Sequence, residues 1–290
     1  MSAIDRLKTI DAHVHFWDPA LLHYPWHEGE PTLQRAYLPE DFAPLSNGAV
    51  DAVVFVQADC VPSKSGREVQ WVERLAAREP RIIGIVAFVD MLFEQGRTPA
   101  LDVLARSPLV IGVRHNIQGH DAGFALQNAF VRGVQEVGAR GLTFDLCTTG
   151  EQVGEVTELV ARCPGTRFVL DHCGKPAIRD DAFDTWAHQL ERLAAHANVY
   201  CKLSGLLTEA RPDQRNTEGV RRYAEHVMRC FGPSRMIYGS DWPVSILGGG
   251  AERWRAITDD LTASWSDDDR SAFYMQNAMQ FYGLTAPARD

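Results

Sequence analysis

A chain of 290 residues, 45% hydrophobic and 23% charged, has the composition of a folded protein with room for one α/β barrel or two smaller domains. Its 29 basic and 38 acidic residues leave a formal charge of -9, which argues against nucleic acid or an anionic membrane as the main partner. Six cysteines without a C-x-x-C pair are no disulfide scaffold and suit a reducing compartment; no apolar run reaches the roughly 18 residues of a membrane span. Met1–Thr9 mixes charges with no apolar stretch, so it does not read as a signal peptide, and the expected location is the cytoplasm.

The predicted elements begin with a strand over Thr9–Phe16. His13 and His15 are separated by one residue, and strand side chains alternate, so both point one way and Val14 the other. Such a pair can bind a metal, hold an anion or polarise a carbonyl; it can also be two structural histidines. From Trp17 to Asn47 no helical spacing is visible, and Pro19, Pro25, Pro31, Pro39 and Pro44 punctuate the stretch. A loop that long reads as a lid or wall over a site. Further strands are predicted at Ala52–Gln57, Ile82–Val89, Leu109–His115, Gly141–Leu146, Arg167–Asp171, Val199–Leu203 and Met236–Gly239. Their near-continuous apolar character suits a parallel sheet covered on both faces. Helical spacing marks Gln70–Ala77, Ala125–Val137, Val153–Val160, Trp186–Ala195 and Val220–Cys230, and a last helix is predicted over Ser266–Gly283. Eight strands alternating with helices predict a (β/α)8 barrel, one domain over residues 1–290, with its long first βα loop over the C-terminal mouth. A doubly wound sheet is the alternative; no G-x-G-x-x-G follows the first strand.

Polar residues gather at the C-terminal strand ends, the face that carries the site in such a barrel. They are His13 and His15, Gln57 and Asp59, Asp90, Arg114 and His115, Asp145, Asp171 and His172, Lys202 and Ser204, and Asp241 and Trp242. Asp59 and Asp90 read as helix N-caps or loop residues. Arg114 and His115 point to opposite faces, and Arg114 is taken as the inward one, able to clamp a carbonyl or carboxylate. Lys202 has two readings, an ion pair with Asp171 or Asp241, or a substrate contact. His23, His120, His188, His196 and His226 read as surface residues, and His27 belongs to the first loop.

Three motifs in order carry a family resemblance: Ile-Asp-Ala-His-Val-His-Phe-Trp-Asp-Pro from Ile10, Val-Leu-Asp-His-Cys-Gly-Lys-Pro from Val169, and Tyr-Gly-Ser-Asp-Trp-Pro-Val from Tyr238. With Tyr24-Pro25-Trp26, Val113–Gln118 and Cys201–Gly205, the chain resembles the sugar-lactonase branch of the amidohydrolase superfamily from Ile10 to about Gly283. The resemblance implies that His13, His15, His172 and Asp241 surround the reacting bond. Many members hold zinc there, helped by a lysine or glutamate on the fourth strand. This chain has Arg114-His115 at that place, which argues against a two-metal site. The implied cofactor requirement is none; a single divalent ion such as zinc on His13, His15 and Asp241 is the alternative.

The expected reaction is opening of an aldonolactone, of the L-fucono- or L-rhamnono-lactone kind, in sugar catabolism. Asp241 is the general base and later returns a proton to the leaving oxygen; His13, His15 and His172 polarise the carbonyl. Gln57, Arg114 and Lys202 are expected to bind substrate. Trp17, Trp26 and Trp242 are expected to wall the sugar, with plain packing the other reading for Trp26. The expected partner is a small sugar lactone, neutral rather than a pyrone dicarboxylate. Two other readings are a zinc-dependent decarboxylase of an aromatic acid and a non-catalytic sugar-binding barrel.

Overall fold

Eight apolar segments pair side by side in chain order to form one parallel sheet: β1 Ile10–Val14, β2 Ala52–Val56, β3 Ile82–Phe88, β4 Val110–Arg114, β5 Thr143–Leu146, β6 Arg167–Leu170, β7 Val199–Leu203 and β8 Met236–Tyr238. The computed structural model describes residues 8–284; Met1–Leu7, on which most of the signal-peptide reading rests, lie outside them. The two ends of the sheet meet through the chain just after β8. Val14 bridges Trp242 in parallel, His15 N donates to Trp242 O at 2.7 Å, and Asp241 N donates to His13 O at 2.9 Å. This closure makes the (β/α)8 barrel and also sets the two histidines beside Asp241.

Strand side chains divide between two apolar layers. Val53, Phe55, Ile85, Ala87, Phe144 and Phe168 pack outward under the helices. Ile10, Ala12, Val54, Val56, Val169 and Ile237 form a smaller inner cluster with Phe281 and Tyr282 of the C-terminal helix, which plugs the end where the strands start. Each fully buried side chain of this kind contributes ~1.5–3 kcal/mol. The β1–β2 register shifts between Asp11 and Val14. That irregularity lets Ala12 join the inner cluster while the next residue, His13, also faces inward.

The five predicted helices lie at Ser65–Ala76, Asn128–Ala139, Val153–Arg162, Asp184–Ala194 and Thr217–Phe231. In the last, Asn216 Oδ1 caps Gly219 N at 3.0 Å, and Gly232 (φ 64°) ends it. Two more, Glu94–Leu104 and Ala251–Leu261, complete the ring. Pro99 inside the first and three glycines before the second obscure their helical signal. The C-terminal helix runs as Asp267–Ser271 and Asn277–Tyr282 around a π-helical stretch, Ala272–Gln276. His226 is buried rather than on the surface, its Nε2 donating to Ala187 O at 3.1 Å.

The first βα connection contains three short turns, Pro25–His27, Pro31–Leu33 and Pro39–Asp41, and a helical turn at Ala43–Ser46. Each of the three opens with proline, whose fixed φ suits a first helical position. The loop has its own core of Trp17, Tyr24, Leu33, Tyr37 and Phe42. Trp17 Nε1 donates to the carbonyls of Leu33 and Arg35 at 3.1 and 2.9 Å. Trp26 Nε1 donates to Ala58 O at 2.7 Å, which fastens the loop to the end of β2.

Candidate active site

The polar centre is built where β1, β6 and β8 end. His172 and Asp241 both sit at positive φ, 53° and 60°, a region that strains non-glycine residues. The strain turns each side chain inward just beyond its strand. Neighbouring glycines leave the space: a Cβ on Gly205 (φ 68°) would lie 2.7 Å from His172 Cβ, and one on Gly239 would lie 2.9 Å from His13 Cβ.

Asp241 Oδ1 faces three imidazoles. His15 Nε2 is 3.4 Å away, and His13 Nε2 and His172 Nε2 are each 3.7 Å away. The opposite ring nitrogens set the proton positions. His15 Nδ1 is 2.7 Å from Val56 O, which can only accept, so Nδ1 carries the proton. His15 can then donate from Nε2 only as an imidazolium. His13 Nδ1 lies 3.2 Å from both the Asp171 carboxylate and Lys202 Nζ, and its Nε2 lies 3.4 Å from an Arg114 nitrogen. With Nδ1–H on Asp171, Nε2 accepts from Arg114. His172 Nδ1 meets the Ser204 hydroxyl at 2.8 Å. A proton donated by Ser204 leaves Nε2–H of His172 pointing toward the site.

Burial holds the His13 imidazole well below its ordinary pKa, and it lowers His172 to about 4 despite the opposing pull of Asp241. Both rings are therefore neutral at pH 7. Burial alone would raise the Asp241 carboxyl; the surrounding imidazoles outweigh it and hold Asp241 below the usual carboxylate range. Asp241 therefore stays ionised near neutrality, with His172 Nε2–H the donor directed at it by these proton positions.

A fully buried charged layer lies beneath. Lys202 Nζ contacts Asp145 Oδ2 at 2.5 Å and Asp171 Oδ1 at 3.0 Å. Tyr282 OH donates to Asp145 Oδ2 at 3.2 Å, and Arg114 reaches Asp171 Oδ2 at 3.1 Å and Gln57 O at 2.7 Å. Burial would lower the Lys202 pKa, but Asp145 and Asp171 hold it above the ordinary value. Lys202 is thus ion-paired with Asp171 and Asp145, not Asp241, and Asp145 is a buried counterion.

A cavity of about 300 Å³ opens above Asp241. His15, His172, Arg114 and Trp26 line it, and so do Asp59, Asn116, Gln118 and Lys175. Gln57, Lys202, Trp17 and Trp242 do not. Gln57 is buried, its Oε1 accepting Asp59 N at 2.6 Å. Trp17 packs inside the first loop; Trp242 packs against Phe16, Tyr37 and Phe42. Asp59, at φ 59°, is on the cavity wall and caps no helix, while Asp90 accepts Leu92 N at 2.9 Å within a turn. Asn116 and Gln118 follow β4 in Val113–Gln118, and that motif was the one signal that pointed to them. Five of the six cysteines are buried and all six are unpaired.

Among the described residues, one group of ligand-type side chains is close enough to hold an ion: His13, His172 and Asp241, with ligand atoms within 4.8 Å of one another. His172 stands in this set where His15 was expected; His15 Nε2 lies 3.4 Å from Asp241 Oδ1 but outside the group. Two imidazoles and a carboxylate suit zinc. Arg114 sets a fixed positive charge 3.4 Å from His13 Nε2, beside that donor set.

This geometry can be placed among known proteins. The chain is 35% identical to an L-fucono-1,5-lactonase of Burkholderia multivorans over 301 residues, covering 96% of this chain and 97% of that one. It is 32% identical to an L-fucono-1,5-lactonase of Burkholderia ambifaria, covering 97% of each. A crystal structure of a Burkholderia multivorans amidohydrolase with bound zinc superposes with a TM-score of 0.85 at 32% identity, covering 96% of this chain and 99% of that one. The amidohydrolase family model matches residues 10–284, and with a barrel mouth that joins two histidines of β1, the histidine after β6 and the aspartate after β8, this chain belongs to the amidohydrolase family.

Proposed function

We propose that this protein hydrolyses an aldonolactone, of the L-fucono- or L-rhamnono-lactone kind, without requiring a metal. The observation that carries the reading is Asp241, an ionised carboxylate 3.4–3.7 Å from three imidazoles at the floor of a cavity of about 300 Å³. The two lactonases similar over nearly the whole chain support the substrate class. Wall residues Asp59, Asn116, Gln118 and Lys175 offer donors and acceptors for sugar hydroxyls, and Trp26 offers a ring face.

In this mechanism Asp241 takes a proton from water as the water oxygen bonds to the lactone carbonyl carbon. The carbonyl oxygen becomes an oxyanion facing His172 Nε2–H, Arg114 and, when protonated, His15. Collapse breaks the bond to the ring oxygen. Asp241 returns its proton there, and the product is the open hydroxy acid. Lys202, Asp145 and Asp171 keep His13 and Arg114 in place from below.

An ion on His13, His172 and Asp241 would supply Lewis-acid polarisation of the same carbonyl. The Arg114 charge beside His13 favours the metal-independent reading. The test is acid release from a panel of aldono-1,4- and 1,5-lactones and pyrone dicarboxylate, with and without EDTA. Chelator-resistant turnover of a neutral sugar lactone is expected. Activity lost to EDTA and restored by zinc would overturn metal independence, and a preference for the dicarboxylate would overturn the substrate class. The protein is expected to act in sugar catabolism on this small-molecule substrate.

A further inference from the structure

We infer that the site takes a lactone carrying a second sugar, an aldobionolactone, with that sugar in an adjoining chamber; the inference rests on the lactonase reading above. A second cavity, of about 500 Å³, lies next to the catalytic one and shares Gln118 and Lys175 with it. The two are continuous in their lining, and Lys175 Nζ donates to Gln118 Oε1 at their boundary. The larger space is therefore the one without catalytic groups. A single sugar ring suits the smaller cavity; the pair together is sized for a larger ligand.

The chemistry of the chamber selects the occupant. Its cations are Lys175 and Arg179, against the carboxylates of Glu151, Asp180 and Glu209. The Arg179 guanidinium is already directed at the carbonyls of Thr208 and Glu209, at 3.1 and 3.4 Å. An anionic substituent thus meets a surplus of negative charge. Glu151, Asp180 and Thr185 are exposed and hydrated in the open chamber, so an apolar substituent would displace their water without replacing its hydrogen bonds. A neutral polyol can donate to Glu151 and Glu209 and accept from Lys175 and Thr185.

Burial also links the chamber to the reaction centre. Glu209 is raised above its ordinary pKa by burial, opposed by Lys175 and Arg179 and aided by Asp241, so it lies within the electrostatic reach of the catalytic carboxylate. A sugar seated against Gln118 and Lys175 is held next to the lactone ring, because both residues also line the catalytic cavity.

The test compares kcat/KM for cellobionolactone and lactobionolactone with that for gluconolactone, in the wild type and in Thr185→Trp and Glu151→Gln. Calorimetry measures binding of the corresponding open acids. Thr185→Trp fills the chamber and is expected to lower disaccharide kcat/KM and acid binding by about tenfold while the monosaccharide stays within about twofold. Disaccharides that are neither hydrolysed nor bound more tightly than the monosaccharide overturn the inference. So do disaccharides insensitive to both substitutions. If no lactone is turned over but the disaccharide acid binds and Thr185→Trp abolishes that binding, the chamber assignment stands and the lactonase reading fails.

Discussion

Asp241 separates chemistry from folding, because the Asp241 side chain contacts imidazoles while its backbone N–H holds the barrel closure to His13 O. Asp241→Asn should keep the fold by circular dichroism and lower kcat by about 100-fold or more. Activity near wild type in that variant would remove the base from the mechanism. Lys202 makes the opposite case. Its removal leaves Asp145 and Asp171 buried without their cation, so Lys202→Met should cost ~3–5 kcal/mol in urea unfolding. A loss of kcat/KM with unchanged stability would return Lys202 to the substrate. The buried carboxyls set a pH dependence as well. Burial raises Asp11 to about 7 and Glu68 to about 8. Both are ionised in the unfolded chain well below those values, so between them the native state binds more protons and stability falls as pH rises. Neutral buried His13, His172 and His115 act in the other direction, adding stability as pH rises to their unfolded value near 6.5. The thermal midpoint should therefore decline from about pH 6.5 to pH 8, and Glu68→Gln should flatten that decline.

At the scale of elements, the first βα loop is a packed unit. Trp17 of its five-residue core meets the ring of Trp26 at 5.5 Å, and Trp26 is tied to Ala58 O and lines the catalytic cavity. Trp17→Ala should destabilise the protein by ~3–5 kcal/mol and raise KM through the loosened Trp26 wall. Unfolding curves and steady-state kinetics on the same sample check both. The turn after β7 is equally constrained. Gly205 is at φ 68° and would drive a Cβ into His172. Gly205→Ala should cost ~1–3 kcal/mol and reduce kcat by moving that imidazole. Much of the element order was legible because buried parallel strands are apolar runs and their helices keep a 3.6-residue period. The helix Glu94–Leu104 was hidden by Pro99, since local punctuation reports propensity and the burial of Arg97, Leu101 and Leu104 overrides it. Alternation alone also places Asp11 on the face of His13; in the structure Asp11 Oδ1 instead accepts from the backbone, from Ser240 N at 2.8 Å and His13 N at 3.2 Å.

On the scale of the whole molecule, the barrel gathers at one mouth residues as far apart as His13 and Asp241. Closure between β1 and the segment after β8 makes the site and the fold depend on the same hydrogen bonds. Ligand at the mouth should therefore raise the thermal midpoint, and EDTA should leave the midpoint of the unliganded protein unchanged if no ion is structural. A large fall with EDTA would make His13, His172 and Asp241 a structural metal centre.

Sequence by itself determined the eight-strand order, the barrel and the four residues that converge at its mouth, because each depends on local period or on a short motif. Tertiary structure decided the partners. Lys202 belongs to Asp145 and Asp171, Trp17 and Trp242 belong to the core, and Asp59, Asn116, Gln118 and Lys175 form the cavity wall. A strand end tells which way a side chain starts, but ion pairing and cavity access depend on what neighbouring strands bring to the same depth. That information is carried by contacts between residues distant in the chain.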